Sequence, residues 1–213
     1  ERKPDTVAGR QAVAAVGQVN LMRSYGRAFE DYGYVSGQVL LTKNIIDGEE
    51  SRHNALNTFN ALLDMHIVPI VNENDMFATY EIEIGDNDTL SAIVAALVEA
   101  DLLILLSDID GLYTDDPRKN PNAKFIEEVE VLTDEYMNMG KGSTGSNVGT
   151  GGMNTKMIAA KIATSCGADM VIANSKDIGV LHEILAGEKV GTIFKANKNE
   201  DFDLADFVKN LHK

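Results

Sequence analysis

Strands alternating with helices along 213 residues predict an α/β protein with a mostly parallel sheet. Two apolar runs carry that prediction, His66-Ile-Val-Pro-Ile-Val-Asn72 and Asp101-Leu-Leu-Ile-Leu-Leu-Ser-Asp108. Both read as strands buried on two faces, which is the pattern of a parallel sheet under helices. The third observation is helical spacing of apolar residues before, between and after those runs.

The first element is a helix from about Thr6 to Tyr32, with Val7, Val13, Val16, Val19, Leu21, Met22 and Phe29 on a broad apolar face. Gly17 and Gly26 interrupt that face and mark close packing or a break. Strand formers fill 34–42, and a helix follows at about 51–65 with Leu56, Phe59, Leu62 and Leu63 facing inward. The run 66–72 is the next strand, tolerated despite Pro69. Met76 to Ile84 reads as a hairpin or extended excursion, and Asp86-Asn-Asp-Thr89 opens a helix at about 90–100. Residues 101–108 form the clearest buried strand, followed by turns through Pro121 and a short strand at Phe125-Ile126. A short helix at 133–139 precedes a glycine-rich loop at 140–152, expected to be mobile. A helix at 153–166, a strand at 169–174, a helix at 178–186, a strand at 191–194 and a helix at 203–212 complete the chain. No internal repeat or linker divides it, so a single domain over 1–213 is expected.

The net charge of −14 argues against nucleic acid, which needs clustered Lys and Arg. It does not exclude an anionic substrate, since a few cations focused in a cleft outweigh the global balance. No apolar run approaches the roughly 18–20 residues of a membrane span. One cysteine, Cys166, rules out an internal disulfide, reads as a small core residue and fits a cytoplasmic setting. The opening Glu1-Arg-Lys-Pro-Asp5 reads as mid-protein material, so the expectation is that the polypeptide begins before residue 1.

Gly149-Thr150-Gly151-Gly152-Met153-Asn154-Thr155-Lys156 is a glycine loop feeding a helix. Glycines let the backbone approach a ligand, and unpaired N–H groups in the first helical turn carry partial positive charge. Lys156 sits one turn in, within reach of an anion held there. Together these make a phosphate cradle; the alternative is a flexible loop before an ordinary helix. The P-loop pattern does not fit, because methionine follows the lysine.

Asn72, Asn74 and Asp75, at a strand's C-terminal end, offer donors and acceptors suited to an α-amino and α-carboxylate group, or form a polar turn. Asp86, Asn87 and Asp88 repeat that chemistry at a helix start, where one of the three serves as N-cap. Ser107 and Asp108 end another strand and, with Tyr113 beside a purine, could line a nucleotide pocket; the alternative packs Tyr113 in the core. The histidines show no metal spacing, and paired carboxylates alone are weak grounds for a protein-held Mg²⁺. No metal ligand is assigned.

Val68-Pro-Ile-Val-Asn-Glu-Asn-Asp75, Ile84-Gly-Asp-Asn-Asp88, Leu105-Leu-Ser-Asp108 continuing through Gly111-Leu-Tyr-Thr114 to Asp116-Pro-Arg118, and Gly149-Thr-Gly-Gly-Met153 with Thr155-Lys156 occur in this order. The set resembles the glutamate 5-kinase branch of the amino acid kinase family, to about Phe194. Gln11-Ala-Val-Ala-Ala-Val-Gly-Gln18 and Gln38-Val-Leu-Leu-Thr42 extend the match upstream.

The resemblance implies a three-layer α/β/α sandwich and transfer of the ATP γ-phosphoryl group, with Mg²⁺, to the side-chain carboxylate of L-glutamate at the start of proline synthesis. It implies that Asp75 and Asn87 bind glutamate, beside Asn72 and Asn74. Ser107, Asp108 and the loop Thr150 to Lys156 would bind ATP. Lys156 would stabilise the transferring group and Asp88 would orient the active-site lysines. A homo-oligomer (dimer or tetramer) is expected, with feedback by proline among the open expectations. The rivals are an aspartate, acetylglutamate or uridylate kinase, or a sensing domain that binds amino acid or nucleotide without catalysis. Three departures stand out. The family's first strand, its glycine loop with a second lysine, and its Ser-Gly-Ala segment are not among these residues. Glu83 stands where many members carry Lys. No PUA domain falls within 1–213.

Overall fold

The structure is a computed structural model describing residues 4–42, 44–75, 86–139 and 152–211. The excursion expected at 76–84, Glu83, and the loop residues 140–151 with Thr150 and Gly151 lie outside the described residues. The chain divides into two compact units, 1–85 and 86–213.

In the first unit, α1 (Val7–Glu30) starts where Thr6 accepts a hydrogen bond from the Gly9 N–H at 3.1 Å. It leads into β1 (Val35–Leu41), α2 (Asn44–Asp47), α3 (Glu49–Asp64) and β2 (Ile67–Glu73). β1 and β2 pair in parallel, with Gln38 opposite Ile70 and Gly37 opposite Pro69. The core of this unit is Val39, Leu41, Ile45, Ile46 and Phe59. Thus α2, which buries Ile45 and Ile46, was not legible as an element.

Two expectations for α1 are corrected. Its valines are not the inward face: Val13, Val16 and Val19 are 57%, 66% and 69% exposed. The half-buried stripe is Gln11, Ala14, Ala15, Gln18, Met22 and Phe29. That stripe keeps i, i+3/i+4 spacing and includes Met22 and Phe29 of the expected face, with Ala and Gln where valines were expected, because hydropathy alone favours valine. Nor do Gly17 and Gly26 mark a break or close packing. The helix runs through both, and a Cβ at either would meet nothing within 4 Å. In α3, Leu63 is half exposed while Phe59 carries the burial.

The second unit contains α4 (Asn87–Leu97), β3 (Leu102–Ser107), β4 (Leu112–Tyr113), β5 (Phe125–Ile126), β6 (Glu128–Val129) and α5 (Asp134–Met139). It continues with α6 (Met153–Cys166), β7 (Asp169–Asn174), α7 (Val180–Leu185), β8 (Thr192–Phe194) and α8 (Leu204–Asn210). Its main sheet has the order β3-β7-β8-β6. β3 runs parallel to β7 and β6 parallel to β8, while β7 and β8 are antiparallel. β4 and β5 form a small antiparallel pair.

The most buried strand is β7, not β3 as expected. β7 pairs on both sides, and Met170, Val171, Ile172 and Ala173 are buried; β3 pairs only with β7 among the described residues and leaves Leu106 exposed. α4 and α6 pack on each other and against β3 and β7, with Leu90, Ala92, Ile93 and Ala95 buried on α4 and Met157, Ala159, Ala160 and Ala163 buried on α6. Alanine at these positions permits close helix approach. That contact fixes where the first turns of both helices meet. No helix among the described residues is long and apolar enough to cross a membrane.

Candidate active site

The first turns of α4 and α6 meet around Asp88 and Lys156. Asp86 caps α4, accepting from the Thr89 N–H at 2.7 Å and the Thr89 hydroxyl at 2.8 Å. Of the three candidate caps, Asp86 therefore takes the structural duty, and Asp88 points elsewhere. Asp88 Oδ2 receives the Lys156 ammonium at 3.0 Å, and the Thr155 hydroxyl lies 2.7 Å from the same oxygen. Lys156 is 8% exposed, so a cation is held in a largely dry pocket by one carboxylate. The N-cap of α6 is Gly152, which has no side chain to cap the helix. The first-turn N–H groups beside Lys156 are thus left for a ligand, and an anion suits both them and the helix dipole. Met153 is half-buried and Asn154 exposed in this turn. Asn87 is exposed at the start of α4, and its side chain makes no hydrogen bond among the described residues.

A second polar group forms where β3 and β7 end together. Ser107 pairs in register with Asn174, and its carbonyl accepts from the Ser175 N–H at 2.7 Å. The Ser107 hydroxyl donates to Asp108 at 3.3 Å. Asn174 donates from Nδ2 to Asp110 at 2.7 Å and accepts from the Lys176 N–H at 2.9 Å. Burial, then the charge of Asp110 and a hydrogen bond to it, push the Tyr113 hydroxyl above its ordinary pKa. The Tyr113 ring meets Phe125 edge-on at 5.1 Å. Sequence reading missed Asp110 and Asn174. The available signal was that two parallel strands ending in polar residues share one edge, where ligands bind in open α/β sheets.

In the first unit a pocket of about 390 Å³ lies between α1, β1 and the end of β2. Its walls include Ala14, Ala15, Val19, Met22 and Leu40, and its polar end includes Asn74 and Asp75. Partial desolvation raises the Asp75 carboxyl above the usual carboxylate range. Asn74 donates its backbone N–H to the Leu41 carbonyl at 2.7 Å. Asn72 is committed within the protein: Nδ2 donates to Gln18 Oε1 at 3.2 Å, and Oδ1 accepts from the Glu73 N–H at 2.9 Å. No lysine or arginine lines this pocket among the described residues. Nor do the described residues contain a group of three or more His, Cys, Asp or Glu that could hold a metal ion.

A glycine-opened helix with a largely buried, carboxylate-held lysine, in a unit whose parallel strands end in polar residues, is an α/β arrangement suited to holding an anion. Residues 1–174 match the amino acid kinase family, and the chain belongs to it. Within that family it is 51% identical to a protein named glutamate 5-kinase from Clostridium perfringens, over 94% of this chain and 76% of that one. It is also 51% identical to a glutamate 5-kinase from Clostridium tetani, over 92% of this chain and 73% of that one. The chain thus spans about three quarters of the length of these relatives. Among solved structures, a T. acidophilum isopentenyl phosphate kinase product complex superposes with a TM-score of 0.57 at 17% identity, covering 87% of this chain and 70% of that one. That likeness supports the amino acid kinase fold.

Proposed function

We propose that this protein transfers the γ-phosphoryl group of ATP to the side-chain carboxylate of L-glutamate, forming an acyl phosphate and ADP in the first step of proline synthesis. The observation that carries the chemistry is the Lys156 ammonium, held at 3.0 Å by Asp88 on the uncapped N-terminus of α6. A γ-carboxylate oxygen attacks the γ-phosphorus, an O–P bond forms, and the bond to the β,γ-bridging oxygen breaks with ADP leaving. The attacking carboxylate is ionised at pH 7, so no general base is required. The protein's contribution is position and charge. Lys156 and the first-turn N–H groups of α6 neutralise charge on the transferring group, while Asp88 and Thr155 hold the lysine in place.

Ser107, Asp108 and Tyr113 take the nucleotide, with Thr150 and Gly151 part of the same proposed loop. In the first unit Asp75 and Asn74 take the amino acid; Asn87 remains the candidate that the resemblance offers in the second. Among the described residues the first unit's pocket is lined by no Lys or Arg, a lining that suits an amino acid better than a phosphate-bearing acceptor. Mg²⁺ would enter with the ATP phosphates, as it commonly does with few protein ligands. The family match runs unbroken across residue 85, which supports one kinase domain made of both units. A cytoplasmic homo-oligomer completes the proposal, with proline as a candidate feedback ligand.

The test is glutamate-dependent acyl phosphate formation, trapped as hydroxamate, from the full-length protein, with aspartate and acetylglutamate as competing acceptors. Lys156→Ala should lower kcat by about 100-fold or more, the scale of one lost charge-stabilising donor. Its KM for glutamate should change little. Wild-type turnover in that variant would remove Lys156 from the mechanism, and product with another acceptor only would remove glutamate.

A further inference from the structure

Asn72 looks in sequence like a substrate ligand, yet the structure spends both ends of its amide inside the protein. Its Oδ1 accepts from a backbone N–H, which can only donate, so Nδ2 must face α1. There it meets Gln18, which must present Oε1 in return. The orientation of both amides is therefore fixed by one backbone group. Gln18 Nε2 is left turned away from Asn72, buried, and without a hydrogen-bond partner among the described residues. Asn74 Oδ1, on a neighbouring residue of the same pocket, is likewise buried and unpartnered. Buried amide atoms are rarely left unbonded, and those that are usually answer to a ligand or water.

The two orphans are complementary: Nε2 is a donor and Oδ1 an acceptor, and the lining of the same pocket also includes the acidic residues Glu73 and Asp75. A carboxylate satisfies the first and an ammonium the others. Building on the glutamate kinase reading, we infer that Gln18 Nε2 binds the α-carboxylate of the amino-acid substrate, and that Asn72 is a positioning residue that sets the Gln18 amide. The α-ammonium then falls to Asn74 Oδ1 and Asp75, and the methylenes to Ala14, Ala15 and Met22. The reacting γ-carboxylate takes no part in this recognition, so the pocket selects a free α-amino acid without touching the phosphoryl acceptor.

Two near-isosteric substitutions test this on the full-length enzyme. Gln18→Met removes the donor and should raise KM for glutamate by about 10- to 100-fold, the range for a hydrogen bond to a charged group. KM for ATP should stay within about 2-fold. Gln18→Glu keeps an oxygen for Asn72 but faces the substrate with a carboxylate. It should lose more than Gln18→Met on glutamate, and less on glutamate α-amide, whose amide can donate back. A merely structural Gln18 would lower Tm and shift both KM values without reordering the two substrates. Unchanged KM for glutamate in Gln18→Met, or no reordering in Gln18→Glu, overturns the assignment; the second variant decides alone should the first not fold. The same rankings read as glutamate-induced Tm shifts test Gln18 without turnover. An inactive wild type that still shows Gln18-dependent shifts would sink the kinase reading and leave this one standing.

Discussion

Lys156 and Asp75 are both charged groups held partly out of water, and they lean in opposite directions. Lys156 is matched by Asp88, so its burial is compensated. For Asp75 desolvation is the resolved influence, and it raises the carboxyl pKa. A proposed substrate ammonium supplies the missing counter-charge. The folded-state pKa lies above the unfolded value of about 4, so the stability linked to this group is present at low pH and lost as pH rises through the raised pKa. Binding runs the other way, because an ammonium needs the ionised form. We therefore expect kcat/KM for glutamate to fall on acidification at a pH above the ordinary carboxylate range. Asp75→Asn should flatten that limb, weaken glutamate binding and leave Tm at pH 7 equal or higher. A profile unchanged by Asp75→Asn would show that another group sets the acidic limb.

At the scale of elements, the β7–β8 connection bears on the strands that carry the proposed nucleotide residues. Gly191 has φ +73°, and a Cβ there would lie 2.2 Å from the Ile172 carbonyl oxygen. The next residue, Thr192, is fully buried; its hydroxyl accepts from the Leu112 N–H at 2.8 Å and donates to the Ile126 carbonyl at 2.6 Å. One threonine thus ties β8 to both strands of the β4–β5 hairpin, and Tyr113 lies on that hairpin. Gly191→Ala should cost more than the ~1–2 kcal/mol of a left-handed alanine alone, because the clash is with backbone. Thermal or urea unfolding checks this, and an unchanged Tm would mean that β8 has room to shift. At Gly17 and Gly26 the helix is open on all sides, and alanine there is compatible with the fold.

At the scale of the whole molecule, α1 presents Val13, Val16 and Val19 to solvent, an apolar row on a chain carrying −14 net charge. Contiguous exposed apolar surface marks interaction sites, and the proposed homo-oligomer is the occupant that fits the expectation from sequence. Val13→Glu with Val16→Glu should reduce the mass measured by light scattering to that of a protomer, with far-UV circular dichroism unchanged. A mass unaffected by both charges would place the interface elsewhere.

Local signals were legible because they are local. The α6 span 153–166 and the β7 span 169–174 follow from a glycine entry, helical spacing and an apolar run, and both stand at those residues in the structure. The α/β class, a strand expected at 66–72 and found at 67–73, and an Asx cap on α4 follow from the same kind of pattern. What only tertiary structure decided was which neighbours each pattern meets. Valine outranks alanine on any hydropathy scale, yet the alanine and glutamine stripe of α1 faces inward because the pocket and β1 lie on that side. Asn72 and Gln18 are 54 residues apart, and Asp110 and Asn174 are 64 apart. Neither period nor propensity reaches so far. Sequence determined the elements and their polar ends; the fold decided which amide was spent on the protein and which was left for a ligand, since that depends on donors and acceptors brought together only when distant strands and helices pack.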